Sequence, residues 1–426
     1  MENTQIYVAL VILAVTIVCF ATEIMRPSIT AICASLAMVL FGINKPADMT
    51  AGFSNTALLF CFGIAVVGTA LSETGCLAFL SKKILFISRF SEKTVLMILL
   101  TVTAVASMFL SNTSVVIIFM SIASILAKSS NGKFKTKNFY MGIGIASVAG
   151  GSCTLIGATV QLSINAVLPD YGIEPFGMWD FFGPAIPVVI LMLLWYYFVG
   201  YKIQLKTFDF PDPDSELQGS DRPELHEGNP KDVKMWIPLV VLIICIVLVL
   251  RGMNMAVCGL LGAMLMCVFK CISVRRMWES TDWNTLATIA GAVGFAKGID
   301  NSGAGAFVAE KCISLLGESS SPWLYLTIFV LLAAAMTNVM LNMSTALILI
   351  PIAVAIAQAL SFNPLTIVMA IIVAANMPFS TPIGANPITM TMQGGYRFRD
   401  YTKVNIGFNI LAAIAVIIAT PIFFPF

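Results

Sequence analysis

The chain has 426 residues, of which 58% are hydrophobic and 11% charged, with a mean hydropathy of +0.92; soluble domains average roughly 25% charged. A globular core of this size needs no such apolar excess, so the surplus faces lipid, which excludes soluble enzymes, nucleic-acid binders, secreted disulfide scaffolds and disordered chains. The net charge of +2 says nothing of partners, whereas the placement of the charges says a good deal.

In chain order, the apolar runs 6–25, 29–43 and 54–74 read as membrane spans of ordinary length. The first has no Lys or Arg before it and reads as a retained span, not a signal peptide. The run 94–127 is two apolar arms joined at Ser111-Asn112-Thr113, and 138–168 is interrupted by Gly150-Gly151 and Gly157. A span at 181–201 precedes residues 202–234, which hold eight acids, four prolines and the lone His226 and read as a solvated linker. The second half repeats the series with 235–250, 254–272 and 283–299. Two arms (321–341 and 344–361) then meet around Leu341-Asn342-Met343-Ser344-Thr345. A run at 364–392 is broken by Pro378, Pro382, Gly384 and Pro387, and a last span follows at 404–424.

Residues repeat along with the runs. Asn55-Thr56 returns as Asn284-Thr285, Ser107 and Asn112 as Thr337 and Asn342, Thr154-Leu-Ile-Gly-Ala158 as Thr381-Pro-Ile-Gly-Ala385, and Asp180 as Asp400. Four collinear matches at nearly constant offset make an internal repeat. Prolines and glycines inside the apolar runs break a continuous helix, and irregular backbone at membrane depth survives only beside protein or a water-filled cavity. The expected fold is therefore an all-α polytopic membrane protein of two inverted repeats. Residues 1–201 form the first repeat (re-entrant hairpin 94–127, broken helix 138–168) and 235–426 the second (re-entrant hairpin 321–361, broken helix 364–392), joined by the polar linker 202–234. Each repeat counts five full spans plus a hairpin that returns to its own side. Five is odd, so the second repeat enters from the opposite face. With the linker inside, 20 of the 24 Lys and Arg residues fall on the cytoplasmic side, which places the protein in the plasma membrane with both termini external.

Inverted repeats with broken helices meeting near the midplane are the layout of secondary transporters: helix starts offer N–H groups to an anion, and helix ends offer carbonyls to Na⁺. No Asp, Glu or His falls in the middle of a span. Lys297 and Asp300, at i and i+3, are placed to pair. Intramembrane carboxylates mark proton relays, so hydroxyls, amides and backbone are left to bind. The ten cysteines form no CxxC pair, and no metal cluster or histidine base is available. An enzyme is not expected, nor any cofactor besides Na⁺ as coupling ion. Gly259, Gly262, Gly291 and Gly294 read as close-packing positions, and Trp179 and Trp283 as interface anchors.

The Ser111-Asn112-Thr113 hairpin, the second hairpin with Asn342 nine residues before Pro351, and the close Thr381-Pro-Ile-Gly384, Gly394-Gly-Tyr-Arg-Phe398 and Asp400-Tyr401 together resemble the divalent anion/sodium symporter family of the ion transporter superfamily, including its sulfate-transporting branch. The resemblance implies one Na⁺ site at Ser107, Asn112 and Gly157 and a second at Thr337, Asn342 and Gly384. It implies substrate contacts from Ser111, Asn112, Thr113 and Asn342, with Ser344, Thr345, Thr159 and Asn386 beside them. The second hairpin carries Leu341-Asn342-Met343 in place of the family's Ser-Asn-Thr. The broken helices carry Ala158-Thr159-Val160 and Ala385-Asn386-Pro387 in place of Thr-Pro-Pro. Na⁺-coupled uptake of a small divalent anion (dicarboxylate or sulfate) by alternating access is the expected function, with sodium ions, the lipid bilayer and a second copy in a homodimer as partners, and no nucleic acid. An arsenite or anion efflux carrier, an Na⁺/H⁺ antiporter and, more remotely, an intramembrane enzyme are the alternatives.

Overall fold

The computed structural model describes residues 2–22, 24–76, 89–130, 133–212, 232–316 and 321–426, which form helices and connecting turns with no strand among them. The first half contains α1 (Glu2–Thr22), α2 (Pro27–Leu40), the short α3 (Pro46–Ala51), α4 (Thr56–Glu73), α5 (Glu92–Ser107), α6 (Asn112–Ser129), α7 (Tyr140–Gly151) and α8 (Thr159–Val167). Helix α9 (Phe182–Trp195) then passes through a π turn at Tyr196–Gly200 into α10 (Tyr201–Thr207). The second half contains α11 (Ile237–Leu250), α12 (Met255–Val268), the short α13 (Val274–Ser280), α14 (Trp283–Asn301), α15 (Ala304–Leu316), α16 (Pro322–Met336), α17 (Asn342–Ala359), α18 (Pro364–Ala375), α19 (Asn386–Met390) and α20 (Phe398–Phe423).

The helix starts divide by how their first N–H groups are satisfied. Asn55 caps α4, Ser91 caps α5, Asn254 caps α12, Asp282 caps α14, Ser321 caps α16 and Asn363 caps α18, each by a side-chain oxygen accepting from the first turn, as a helix entered from a polar loop requires. Helices α6, α8, α17 and α19, which start at the interruptions of the predicted apolar runs, carry no side-chain cap, and neither do α2, α7, α9, α11 and α20.

Two layers result. In one, α14 lies along α2 and α12 along α4, with α1 and α3 on the first pair and α11 and α13 on the second. In the other, α7 packs on α5 and α6, α18 on α16 and α17, and α9 on α20. Helix α8 joins the layers through α4 and α14. Three pairings thus have counterparts: α5–α7 with α16–α18 and α6–α7 with α17–α18, each inside one half, and α2–α14 with α4–α12, both between the halves. Indole Nε1 of Trp195 donates to the Val404 carbonyl (3.0 Å) and the Tyr196 hydroxyl to Asn405 Oδ1 (3.1 Å), tying α9 to α20.

Glycine sets the spacing in the first layer. A Cβ on Gly291 would lie 2.6 Å from the Ala31 backbone, and one on Gly63 would lie 2.1 Å from the Gly259 carbonyl. Gly63→Ala is therefore expected to force α4 from α12 and to lower the thermal midpoint of the purified protein, at an overpacking cost of about 1–3 kcal/mol. Gly68→Ala on the same helix meets nothing within 4 Å and should leave the midpoint unchanged. Equal midpoints for the two variants would contradict this packing account.

Three features depart from the sequence reading. The chain stays helical through Thr207, so 202–207 belongs to α10, and the linker's first residues, Phe208 to Asp212, lie against the start of the α7 segment. There Lys137 Nζ donates to the carbonyls of Phe208 (2.9 Å) and Phe210, and the Thr136 N–H to Asp212 (2.8 Å). Lys297 pairs with Asp48 Oδ1 at 2.8 Å and not with Asp300, because α3 packs on α14. Helices α3, α13 and α15 lie where no span is predicted. Residues 213–231, with Arg222, His226 and Lys231, and residues 77–88, with Lys82 and Lys83, lie outside the described residues. Cys267 and Cys271 are free thiols.

Candidate functional site

The two hairpin turns have one construction. After α5, the N–H groups of Met108, Phe109 and Leu110 bond back to Val105 and Ala106, and after α16 those of Asn338, Val339 and Met340 bond back to Ala335 and Met336, 230 residues on. Each turn is tied to the break in its own half. Thr154 donates its hydroxyl to the Met108 carbonyl, and Thr381 donates to the Asn338 carbonyl at 2.6 Å. The second tie is doubled by the Ser380 N–H, which donates to Asn338 Oδ1 (3.0 Å).

These ties draw oxygens together. In the first half, Ser107 Oγ stands 2.5 Å from Asn112 Oδ1 and 3.0 Å from Ser147 Oγ. The amide oxygen position of Asn112 is 3.0 Å from the Gly157 carbonyl oxygen and 3.2 Å from that of Ser147. In the second half, Thr337 Oγ1 stands 2.7 Å from Asn342 Oδ1 and 2.5 Å from the Ala375 carbonyl oxygen. The amide oxygen position of Asn342 is 2.7 Å from the Gly384 carbonyl oxygen and 3.1 Å from that of Ala375. Each half therefore gathers a hydroxyl, an amide and two peptide carbonyls. Ser107 and Thr337 are fully buried. Close approach is possible because two positions lack a side chain: a Cβ on Gly157 would sit 2.3 Å from the Gly151 carbonyl oxygen, and one on Gly384 would sit 1.9 Å from that of Thr337.

All six residues expected in the two Na⁺ sites are thus brought together, three in each half. Ser147 and Ala375, which complete the clusters through their carbonyls, are not in the expected sets. A backbone ligand has no side-chain signal, and only the matching offset of 228 residues could have pointed to the pair. The residues expected near substrate divide. Ser111, at the start of α6, and Thr159 and Asn386, at the starts of α8 and α19, are exposed, and Asn112, Thr113 and Asn342 are half-buried. Ser344 and Thr345 are buried with hydroxyls that have no hydrogen-bond partner, an arrangement that dry protein rarely tolerates. The halves interlock here: α6 touches α19, and α17 touches α8.

Side-chain charge is absent from both clusters, and no group of three His, Cys, Asp or Glu residues is placed to hold a metal among the described residues. Asp170, in the turn after α8, has an unpartnered oxygen. Burial holds its carboxyl above the usual carboxylate range, aided by Asp300 and Asp48 and opposed by Lys297. Asn55 has a structural role, since Oδ1 caps α4 by accepting the Ala57 N–H (2.8 Å) and Nδ2 donates to the Ala166 carbonyl (2.9 Å).

Helices α4, α9 with α10, α17 and α20 anchor four segments, Pro46–Glu73, Phe182–Thr207, Asn342–Ala359 and Phe398–Phe423, that are long and apolar enough to cross a membrane. An all-helical membrane protein with two uncharged oxygen clusters at its helix breaks has the build of a transporter and not of an enzyme. The chain belongs to the CitMHS citrate transporter family, whose model matches residues 17–346 and again 240–426. Among curated relatives, the uncharacterized transporter YfbS of Escherichia coli is 28% identical over 171 residues, which are 40% of this chain and 28% of its own. This chain thus spans under a third of that relative's length. The sodium-dependent dicarboxylate transporter SdcS of Staphylococcus saprophyticus is 22% identical over 414 residues, 88% of this chain and 78% of its own. Two solved structures share the fold. The Neisseria gonorrhoeae antimetabolite efflux pump MtrF aligns with a TM-score of 0.61 at 14% identity, covering 88% of this chain and 83% of its own. The YdaH transporter of Alcanivorax borkumensis aligns with a TM-score of 0.56 at 13% identity, covering 100% and 98%.

Proposed function

We propose that the protein carries a small divalent anion, a dicarboxylate or sulfate, into the cell with Na⁺ by alternating access. The observation that carries this reading is the pair of matched oxygen clusters, Ser107, Asn112, Ser147 and Gly157 in one half and Thr337, Asn342, Ala375 and Gly384 in the other. Hydroxyl, amide and carbonyl oxygens suit a hard monovalent cation. A divalent anion leaving water for a site without Arg or Lys meets a prohibitive cost unless cations enter with it. Two Na⁺ ions would neutralise it. The uncapped starts of α6, α8 and α17 supply N–H groups with partial positive charge, and the unpartnered Ser344 and Thr345 hydroxyls supply further donors. The citrate-transporter family and the sodium-dependent dicarboxylate relative support the same class of substrate and ion.

In this reading the halves are inverted repeats with re-entrant hairpins, the linker is cytoplasmic, the termini are external and two copies form a dimer in the plasma membrane. Helix α17 has 18 residues, about 27 Å at 1.5 Å per residue, so it is long enough to span as well as to re-enter. Cysteines placed at Asn363 and in the linker, labelled with an impermeant reagent, distinguish the two. The function itself is tested in proteoliposomes offered radiolabelled succinate, citrate and sulfate. Uptake of one of them is expected to need external Na⁺, to rise more steeply than linearly with it, and to follow the titration of the substrate as pH changes. Full uptake in sodium-free, potassium-balanced buffer under a proton gradient would leave a proton-linked carrier or an anion exchanger.

A further inference from the structure

Between the two oxygen clusters runs a chain of three side-chain amides, all donating in one direction. Asn342 Nδ2 donates to Asn376 Oδ1 (3.3 Å), Asn376 Nδ2 to Gln161 Oε1 (3.3 Å), and Gln161 Nε2 to the Gly151 carbonyl (3.2 Å). Asn376 Nδ2 also donates to the Ile372 carbonyl at 3.2 Å. Gln161 is fully buried and Asn376 is 1% exposed. The chain ends beside the first cluster, where a Cβ on Gly151 would lie 2.3 Å from Asn112 Oδ1.

The direction follows from the two backbone carbonyls. A carbonyl only accepts, so Gln161 must turn its Nε2 to Gly151, which turns its Oε1 to Asn376. Asn376 must then present Nδ2 to both Gln161 and Ile372, which leaves Oδ1 facing Asn342. Asn342 meets that oxygen with its NH₂ and is left with its own oxygen aimed at Thr337 Oγ1, Gly384 O and Ala375 O. The opposite Asn342 orientation would satisfy those three oxygens with an N–H₂, but it would set two amide oxygens against each other at 3.3 Å in a buried site. The amide orientation is thus assigned by the network, as such orientations must be. In the assigned orientation four oxygens share the single Thr337 hydroxyl proton and the Asn342 peptide N–H, which donates to Gly384 (3.1 Å). That excess of lone pairs suits a hard cation. At Asn112 no comparable relay appears among the described residues, and its turned amide would donate to Ser107 Oγ, Gly157 O (3.0 Å) and Ser147 O (3.2 Å).

We propose that Gln161 and Asn376 are positioning residues that lock the Asn342 amide oxygen toward the second cluster, so that Na⁺ binds there without reorganisation and more tightly than at the first cluster. The inference rests on the sodium reading above. Its test uses Na⁺ alone, with choline replacing it at constant ionic strength, and reads the thermal midpoint of the purified full-length protein as Na⁺ is raised. Wild type is expected to be stabilised in a saturable way. In Gln161→Leu the Asn342 amide can turn its NH₂ into the cluster, and the Na⁺ concentration for half-maximal stabilisation should rise by about tenfold, the equivalent of ~1.4 kcal/mol. Adding Asn342→Asp to Gln161→Leu should recover most of that affinity, because a carboxylate presents oxygen in either orientation. A general packing defect would not be rescued in this way. If Gln161→Leu does not fold, Asn376→Leu reads the same relay. A wild-type protein indifferent to Na⁺ would overturn the sodium reading. Sodium stabilisation with the same midpoint concentration in wild type and the relay variant would overturn the relay alone.

Discussion

Asn112→Ala and Asn342→Ala should each abolish sodium-driven uptake while leaving the protein in the membrane. Each asparagine closes an oxygen cluster at a helix start, with Ser107 at 2.5 Å in one and Thr337 at 2.7 Å in the other. Alanine removes the amide and strands the hydroxyl and carbonyls around it. Loss of such a ligand costs about 1–3 kcal/mol, or roughly 10–100-fold in affinity, and under the proposed mechanism, in which both clusters serve one anion, transport should fall further than either site's binding. Asn55→Ala is the control. It removes a helix cap, worth about 0.5–2 kcal/mol of stability, and should lower the thermal midpoint while preserving most of the uptake. Near-normal uptake by either cluster variant would return that asparagine to helix packing.

Gly384→Ala should be nearly as severe, by a different physical route. The added methyl would lie 1.9 Å from the Thr337 carbonyl oxygen and 2.4 Å from Pro378 Cβ. Backbone stands on one side and a rigid ring on the other, so the turn after α16 must part from the broken helix. The parting moves Thr337 away from Asn342, and the sodium requirement should rise well beyond assay range, with an overpacking penalty of about 1–3 kcal/mol in stability. Gly157→Ala, 2.3 Å from the Gly151 carbonyl, should act likewise in the first half. Gly305→Ala meets its nearest neighbour at 3.4 Å within α15 and should be neutral or slightly stabilising, since alanine favours helix by about 1 kcal/mol. Paired measurements of thermal midpoint and sodium activation would decide it. A Gly384→Ala protein with ordinary sodium activation would show that the turn is not part of the ion site.

The apolar runs were readable because lipid-facing helices leave long unbroken hydrophobic stretches, and the clusters because Ser107 with Asn112 and Thr337 with Asn342 repeat at one offset. The relay was not readable for the same reason. The offsets pair Gln161 with Ile388 and Asn376 with Val148, so comparing the halves discards both residues as unmatched. The Lys297 ion pair was misassigned because i, i+3 spacing ranks a local partner above one that only the packing of α3 on α14 supplies. Helix α15 was passed over because Glu310 and Lys311 interrupt an otherwise apolar stretch.

The crossed contacts, α6 on α19 and α17 on α8, bear on ancestry. Each half lays a helix against the short helix that follows the break in the other half. If the halves descend from a duplicated gene, a half-length precursor was incomplete as a single copy and could work only as a pair. Joining the copies then fixed their stoichiometry at one to one and released them from identity. The amide relay, which reaches Asn342 and has no counterpart at Asn112 among the described residues, is the kind of specialisation that two identical copies cannot acquire.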